Sequence, residues 1–263
     1  MGNIMIHPTE AVKLSILAGE IMLSSGAETY RVEDTMLRIL RKCDFEDVES
    51  FATSTGIFAS AAGVDGSVIT MVRRVKTRSN NFHKIACVNE VSRKFVDGKL
   101  DIVEAAQNIE AIKNMRPNPA WLRVVGAAVA AFCFAAMLGG SWEDALNAFA
   151  AAFLMQIPYS FLESKNIAAV LRNICGGAFA ALFAMILLNI GLGGNINSII
   201  IGAIMPLVPG LSLTNAIRDI LEGDFISGSA RILDAILIAI AIATGVGTIM
   251  NLWYNVFGGV MIW

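Results

Sequence analysis

The sequence predicts a membrane protein in which an N-terminal cytoplasmic α+β domain precedes an α-helical bundle of about five transmembrane helices. The chain has 263 residues, of which 56% are apolar and 16% charged, whereas soluble domains average about 45–50% apolar and about 25% charged. The charge is also uneven. Residues 1–123 contain 16 basic and 15 acidic residues, and residues 124–263 contain 4 and 7. This composition excludes a wholly soluble enzyme and a disordered chain.

Residues 1–118 are predicted to form the cytoplasmic domain. Apolar residues recur at helical spacing from Ala11 to Ile21, and Gly26 ends that pattern. Asp65 and Gly66 separate two β-prone runs, which is typical of a hairpin turn. We therefore expect helices near 11–25, 29–42, 80–96 and 100–113, and strands near 48–55, 57–63 and 67–75.

This domain carries no motif of a known enzyme class. The sequence has no G-x-G-x-x-G, P-loop, H-E-x-x-H or G-x-S-x-G pattern, and its four cysteines lie far apart. The net charge of −2 offers no basic face for nucleic acid. We expect a protein that is not an enzyme and has no catalytic residue, metal site, cofactor or nucleic-acid partner.

Residues 119–263 are predicted to form the transmembrane domain. The run Asn173–Ile217 has no charge for 45 residues, which is too long for one span of about 20 residues. The Gly-rich stretch Asn189–Asn197 divides it into two. We expect spans near 121–140, 144–162, 172–190, 196–211 and 228–250, with residues 251–263 continuing the fifth span or forming a re-entrant piece.

The loops between the predicted spans alternate between basic and non-basic. Lys165 and Arg172 precede span three, and Arg218 and Arg231 precede span five, whereas the loops after spans one and three lack Lys and Arg. Basic loops are retained on the cytoplasmic side. The pattern predicts a multi-pass protein of the cell (inner or plasma) membrane with the N-terminal domain inside and the C-terminus outside.

The fourth predicted span contains the main candidate site. Pro206 and Pro209 remove backbone donors, and Gly210 permits unusual dihedral angles. Because the run Ile196–Pro209 has only 14 residues, fewer than the roughly 17 that a span needs, we expect a discontinuous helix. Broken helices in transporters expose backbone groups that bind small polar ligands. The alternative is that Pro206–Gly210 merely ends the span.

Polar residues after the break extend this predicted substrate site: Ser212, Thr214, Asn215, Arg218 and Asp219. Arg218 would pair with a substrate carboxylate, and Asp219 would balance that charge or carry a proton. The alternative is that both are interfacial charges. Asp234 is a second candidate for proton coupling, and an i,i+3 ion pair with Arg231 is the alternative explanation of its charge.

The order of parts resembles the threonine/serine exporter family. Three stretches carry the resemblance: SGAETYRVEDTMLRIL (Ser25–Leu40), VKTRSNNFHKIACVNEVSRKF (Val75–Phe95) and MPLVPGLSLTNAIRDILEGDFISGSARILDA (Met205–Ala235). The third is similar to the family's Pro-Gly-x-x-Leu-Thr-Asn-Ala-x-Arg-Asp signature. The matching signature residues are Pro209, Gly210, Thr214, Asn215, Arg218 and Asp219.

The resemblance implies export of small polar metabolites through the lipid bilayer, with threonine and serine or succinate-like dicarboxylates as substrates. It also implies coupling to a proton gradient, for example by antiport. Full-length members carry a second membrane region that this sequence lacks. We therefore expect a second small membrane subunit or a homo-oligomer. Two alternatives remain open: a membrane-anchored enzyme and a regulatory scaffold, each acting through the cytoplasmic domain.

Overall fold

A computed structural model describes residues 8–43, 45–63, 65–76, 79–116, 118–165, 167–192 and 194–257. Within these ranges the chain is mostly helical and has one three-stranded sheet. The helices are α1 (Pro8–Ser24), α2 (Thr29–Arg41), α3 (Phe82–Val96), α4 (Ile102–Lys113), α5 (Ala120–Met137), α6 (Trp142–Ser164), α7 (Ala169–Asn189), α8 (Ile196–Ile204), α9 (Gly210–Leu221) and α10 (Phe225–Phe257). The strands are β1 (Phe45–Thr53), β2 (Gly56–Gly63) and β3 (Val68–Arg74).

The first of two compact units comprises the chain up to Arg116 and residues 211–233. Its sheet has the antiparallel order β1-β2-β3, and β2 and β3 are joined at the expected Asp65–Gly66 turn. Alternation along β2 buries Ile57, Ala59 and Ala61 in the same core as the inner faces of α1 and α2. The helices and strands predicted for the first 118 residues are therefore confirmed.

The division of the chain differs from the predicted one at residues 211–233. The sequence assigned this segment to the membrane domain, but it packs with the first unit. Within this segment, Gly228 lies at a close contact, because a Cβ there would overlap Ile220 and lie 2.9 Å from the Ala216 carbonyl oxygen. Glycine at this position therefore lets α9 and the start of α10 pack closely.

The second unit comprises residues 118–210 and 234–257 of the described chain. Its core is built largely from alanines on α5, α6, α7 and α8, whereas large side chains such as Met137 and Trp142 are 72% and 76% exposed. Small residues inside and large apolar residues outside are typical of helices that pack closely within lipid. This unit therefore has the surface of a membrane domain.

Among the described residues, four helices are long and apolar enough to span a bilayer: α5, α6, α7 and α10. The interrupted pair of α8 and α9 would give a fifth, in agreement with the predicted count. Helix α10 has 33 residues and is about 50 Å long, longer than the roughly 30 Å hydrocarbon core. Only its residues from Asp234 onward belong to the second unit. The helix also continues through residues 251–257 of the predicted tail, and residues 258–263 lie outside the described ranges.

We predict that Gly245→Ala destabilises the membrane unit. A Cβ at Gly245 would overlap the Ile174 carbonyl oxygen and lie 2.7 Å from the Ala178 nitrogen, both on α7. Because backbone atoms cannot rotate away, we expect a loss of about 1–3 kcal/mol in the free energy of unfolding, measured in detergent micelles. Gly247→Ala is the matched control, since a Cβ there meets nothing within 4 Å. Equal stabilities of the two variants would contradict this packing.

Candidate functional site

The helix between residues 196 and 221 is interrupted where the two prolines predict it. Helix α8 ends at Ile204, Met205–Leu207 form a 3-10 turn, Val208 is extended, and α9 begins at Gly210. Each proline lacks a backbone donor and clashes with the preceding turn, and two such residues within four positions favour an interruption of the helix here. The predicted discontinuity of this helix is confirmed.

The interruption separates the predicted site residues into two groups. Pro206, Pro209 and Gly210 belong to the second unit. There Pro209 lies beside an apolar groove of about 470 Å³ along α8 and α10, and Asn197 is the polar side chain among the groove's lining residues. The polar residues that follow, from Ser212 to Asp219, belong to the first unit.

In the first unit, one face of α9 contacts the turn between α1 and α2. The Asn215 side chain is buried and donates from Nδ2 to the Gly26 carbonyl oxygen at 2.8 Å. Gly26 has a φ of 91°, which favours glycine over residues with a Cβ. Ser212 is half-buried and Thr214 is exposed. Three of the predicted polar residues, Asn215, Arg218 and Asp219, bind this turn or the first residue of α2.

The loop before α3 reaches the same turn. The backbone N–H groups of Ser79 and Asn81 donate to the carbonyl oxygens of Ser24 and Ser25 at 2.8 and 3.0 Å. This loop lies in the second of the three stretches quoted above, the α1–α2 turn begins the first, and α9 lies in the third. Stretches far apart in the sequence thus converge on the α1–α2 turn.

Asp219 is the buried centre of this cluster, with no exposed surface. Its Oδ1 accepts from the Thr29 backbone N–H at 3.2 Å and lies 2.8 Å from Thr29 Oγ1. Its Oδ2 lies 2.9 Å from Arg231 Nε, and Arg231 Nη2 donates to the Ala27 carbonyl oxygen at 3.0 Å. Oδ1 therefore accepts hydrogen bonds from Thr29, whereas Oδ2 is held by the charge of Arg231 without a hydrogen bond. The nearby cation offsets part of the cost of burying a carboxylate.

A second ion pair lies nearer the surface. Arg218 Nη1 donates to Glu28 Oε1 at 2.6 Å, and Arg31 Nη1 lies 3.5 Å from Glu28 Oε2. Burial alone would raise the pKa of Glu28. The hydrogen bonds from its own backbone N–H and from Arg218, with the charges of Arg31 and Arg218, lower that pKa below its ordinary value. The Arg218 side chain is 55% exposed, so solutes can reach its guanidinium group.

Two further carboxyl groups lie close to Asp219. Asp224 follows the turn at Gly223, and its Oδ2 lies 2.7 Å from Thr29 Oγ1. Glu33 lies one helical turn after Thr29 and accepts from the Ala52 backbone N–H at 2.7 Å. Burial, followed by the charges of Asp224 and Asp219, raises the pKa of Glu33 despite that hydrogen bond. The cluster therefore contains more negative charge than Arg231 alone neutralises.

The contacts of Arg218, Asp219 and Asp234 differ from the contacts that the sequence predicts for them. Arg218 pairs with Glu28, and Asp219 pairs with Arg231. Asp234 is exposed, and Arg231 pairs with Asp219 and donates to the Ala27 carbonyl oxygen. Sequence reasoning also missed Glu28, Thr29, Glu33 and Asp224 as site residues. All four residues lie within the stretches that resemble the threonine/serine exporter family, and this position was the sequence signal that could have identified them.

We predict that Arg231→Ala lowers the free energy of unfolding by about 3–5 kcal/mol, because it leaves the buried Asp219 charge without its cation. Arg38→Ala is the matched control. Arg38 pairs with Asp34 on the surface of α2, and such exposed pairs contribute about 0–1 kcal/mol. Chemical unfolding in detergent micelles measures both. A loss below about 1 kcal/mol for Arg231→Ala would contradict a structural role for the buried pair.

Comparison with known proteins places this arrangement in a family. The family model described as a threonine/serine exporter matches residues 13–253. The chain is 28% identical over 243 residues to the "Probable succinate transporter subunit YjjP" of Escherichia coli (strain K12), covering 92% of this chain and 94% of that protein. It is 26% identical over 243 residues to the "Probable threonine/serine exporter" of Mycobacterium tuberculosis (strain ATCC 25618 / H37Rv), covering 92% of this chain and 46% of that protein.

A third relative is the "Threonine/serine exporter" of Corynebacterium glutamicum, 27% identical over 249 residues, or 90% of this chain and 50% of that protein. The chain thus spans about half the length of these two exporters and nearly the whole length of the succinate transporter subunit. No solved structure matches the chain. The family match covers all the residues of the cluster around the α1–α2 turn, and the chain belongs to the threonine/serine exporter family.

Proposed function

We propose that this chain is a secondary active transporter that exports small polar metabolites. The interruption between α8 and α9 carries this proposal, because it lies within a helix pair apolar enough to span a bilayer. Broken spanning helices in transporters present backbone groups and helix ends to small polar ligands. Membership of the family supports the same function.

The substrates are threonine- and serine-type amino acids or succinate-like dicarboxylates. Relatives named as threonine/serine exporters support the first class, and a relative named as a succinate transporter subunit supports the second. Both classes carry a carboxylate. The exposed guanidinium group of Arg218 can bind a substrate carboxylate through two parallel hydrogen bonds. To do so, the substrate has to displace Glu28 from Arg218.

The residues proposed to bind substrate are Pro206, Pro209 and Gly210 at the break and Ser212, Thr214 and Asn215 on α9. The side chains of the last three carry hydrogen-bond donors and acceptors. Asp219 and Asp234 are the carboxylates that we propose for proton coupling. The two differ in environment, since Asp219 is buried against Arg231 and Asp234 is exposed.

A second membrane subunit, or a second copy of this chain, completes the transporter. The word "subunit" in the name of the succinate-type relative supports this. The alternation of basic and non-basic loops supports a cytoplasmic N-terminal domain and an external C-terminus in the cell membrane. Export then begins on the side of the first unit.

An efflux assay in lipid vesicles tests the proposal. Vesicles that contain the purified protein, with and without a co-purifying small membrane protein, are loaded with labelled serine, threonine or succinate. We expect efflux of at least one substrate and faster efflux under a pH gradient. Efflux of none of the three would exclude the proposed substrates, and efflux indifferent to the gradient would exclude proton coupling.

We predict that Arg218→Ala abolishes efflux in this assay and leaves expression intact, because the guanidinium group is lost from the proposed substrate site. Arg38→Ala, which removes an exposed arginine elsewhere on the first unit, serves as the control and should retain efflux. Efflux at the wild-type rate in Arg218→Ala would remove Arg218 from the site. A charge-swapped variant, Arg218→Glu with Glu28→Arg, then separates its two roles. Restored efflux assigns the effect to the ion pair, and lost efflux assigns it to the substrate.

A further inference from the structure

The sheet of the first unit has two faces with different surroundings. Helices α1 and α2 pack against one face, which carries the buried residues of β2. Successive side chains of a strand point to opposite faces, so every second residue of each strand lies on the opposite face, which we call the outer face. Its residues align across the three strands in four rows: Asp47 with Ala62 and Val68, Glu49 with Ser60 and Thr70, Phe51 with Phe58 and Val72, and Thr53 with Gly56 and Arg74.

The outer face carries an apolar row where an antiparallel sheet in water usually carries polar residues. Phe51, Phe58 and Val72 form this row and are 48%, 39% and 63% exposed. The rings of Phe51 and Phe58 have their centres 6.0 Å apart. Val68, also on the outer face, is 66% exposed. A contiguous exposed apolar patch of this kind is typical of a surface that another molecule covers.

The hydroxyl groups next to the apolar row do not oppose burial of the outer face. Ser60 Oγ and Thr70 Oγ1 lie 2.9 Å apart, one on β2 and the other on β3. Each hydroxyl group therefore already has a hydrogen-bond partner within the sheet. Such a pair costs less to remove from water than two unsatisfied hydroxyl groups.

Charges of opposite sign lie at opposite corners of the outer face. Asp47 and Glu49 on β1 belong to the two rows on one side of the apolar row, and Arg74 on β3 belongs to the row on its other side. All three side chains are exposed. None of the ion pairs formed among the described residues includes them. The outer face therefore has an acidic corner and a basic corner, with the apolar row between them.

This pattern fits a second copy of the same chain. A two-fold axis that lies between two facing sheets, perpendicular to the line joining the two corners, places Arg74 of each copy over the acidic corner of the other. The apolar rows then meet, with Phe58 on the central strand close to the axis. A lipid surface fits less well, because anionic headgroups attract basic residues, and the outer face has two acidic residues and one basic residue.

We propose that two copies of this chain associate through the outer faces of their sheets as a two-fold symmetric dimer. In this dimer, Arg74 of each copy pairs with Asp47 and Glu49 of the other copy, and the two apolar rows exclude water between them. The role of the dimer in export rests on the proposed function, in which a second copy is one of the two ways to complete the transporter. Association itself requires neither substrate nor transport.

Co-purification of two differently tagged full-length copies from one membrane tests the association. We expect one tag to recover the other copy. Phe58→Lys places unpaired like charges opposite each other near the axis, so recovery should fall at least about tenfold. Phe82→Lys is the matched control, because Phe82 is an exposed phenylalanine on α3, and its recovery should equal that of wild type. No recovery in wild type, or equal recovery in the two variants, would overturn the proposal.

Charge reversal supplies a second test that leaves the apolar row in place. Arg74→Glu makes both corners acidic, and Asp47→Arg combined with Glu49→Arg makes both corners basic. Each variant should recover its own copies at least about tenfold less than wild type does, because like charges then face each other. A mixture of the two variants should restore recovery, which also shows that both fold. Undiminished recovery within each variant, or no recovery in the mixture, would contradict the proposed pairing.

The efflux assay separates this dimer from the proposed function. If copies associate as expected while wild type exports none of the three substrates, the proposed function fails and the interface stands. If wild type exports a substrate while no second copy is recovered, the interface fails and the proposed function stands. A different small membrane protein that co-purifies with wild type and is lost from Phe58→Lys, without recovery of a second copy, would assign the outer face to that subunit and overturn the dimer.

Discussion

The buried ion pair between Asp219 and Arg231 is the interaction on which the contacts around the α1–α2 turn depend. Placing a charge in a protein interior costs several kcal/mol unless its partners are well placed. Here Thr29 and Arg231 contact both oxygens of Asp219, and Arg231 reaches on to the Ala27 carbonyl oxygen. Removal of Arg231 would leave the buried carboxylate of Asp219 without its cation. The network therefore specifies one position for α9 on this turn.

A different constraint shapes the membrane unit. In lipid, association between helices gains little from apolar burial, so close packing of small residues replaces it. The alanine core and the contacts of Gly177 and Gly245 with opposing backbone atoms follow from this constraint. Residues 211–233 are joined to this unit by peptide bonds at both ends, and α10 continues through residue 234 as one helix.

Local patterns in the sequence were sufficient to predict the helices, the strands and the interruption between α8 and α9. Helical spacing in residues 11–21, the Asp65–Gly66 turn and the two prolines each act within a few residues, so the sequence predicted them correctly. The partners of the charged residues could not be predicted in this way. Helical spacing predicted an ion pair between Arg231 and Asp234, three residues away. In the structure Arg231 instead pairs with Asp219, which precedes the turn at Gly223. Glu28 and Arg218 lie 190 positions apart, and no spacing rule relates them.

Hydrogen exchange of the whole protein in lipid nanodiscs tests the central claim most directly, because it reports on the backbone of the α1–α2 turn and of α9 together. The account predicts that Asp219→Ala increases exchange in both residues 25–33 and residues 211–224, whereas exchange in α3 stays as in wild type. Each segment loses the partner that protects it. Unchanged exchange in residues 25–33 of this variant would contradict the claim that Asp219 holds the α1–α2 turn.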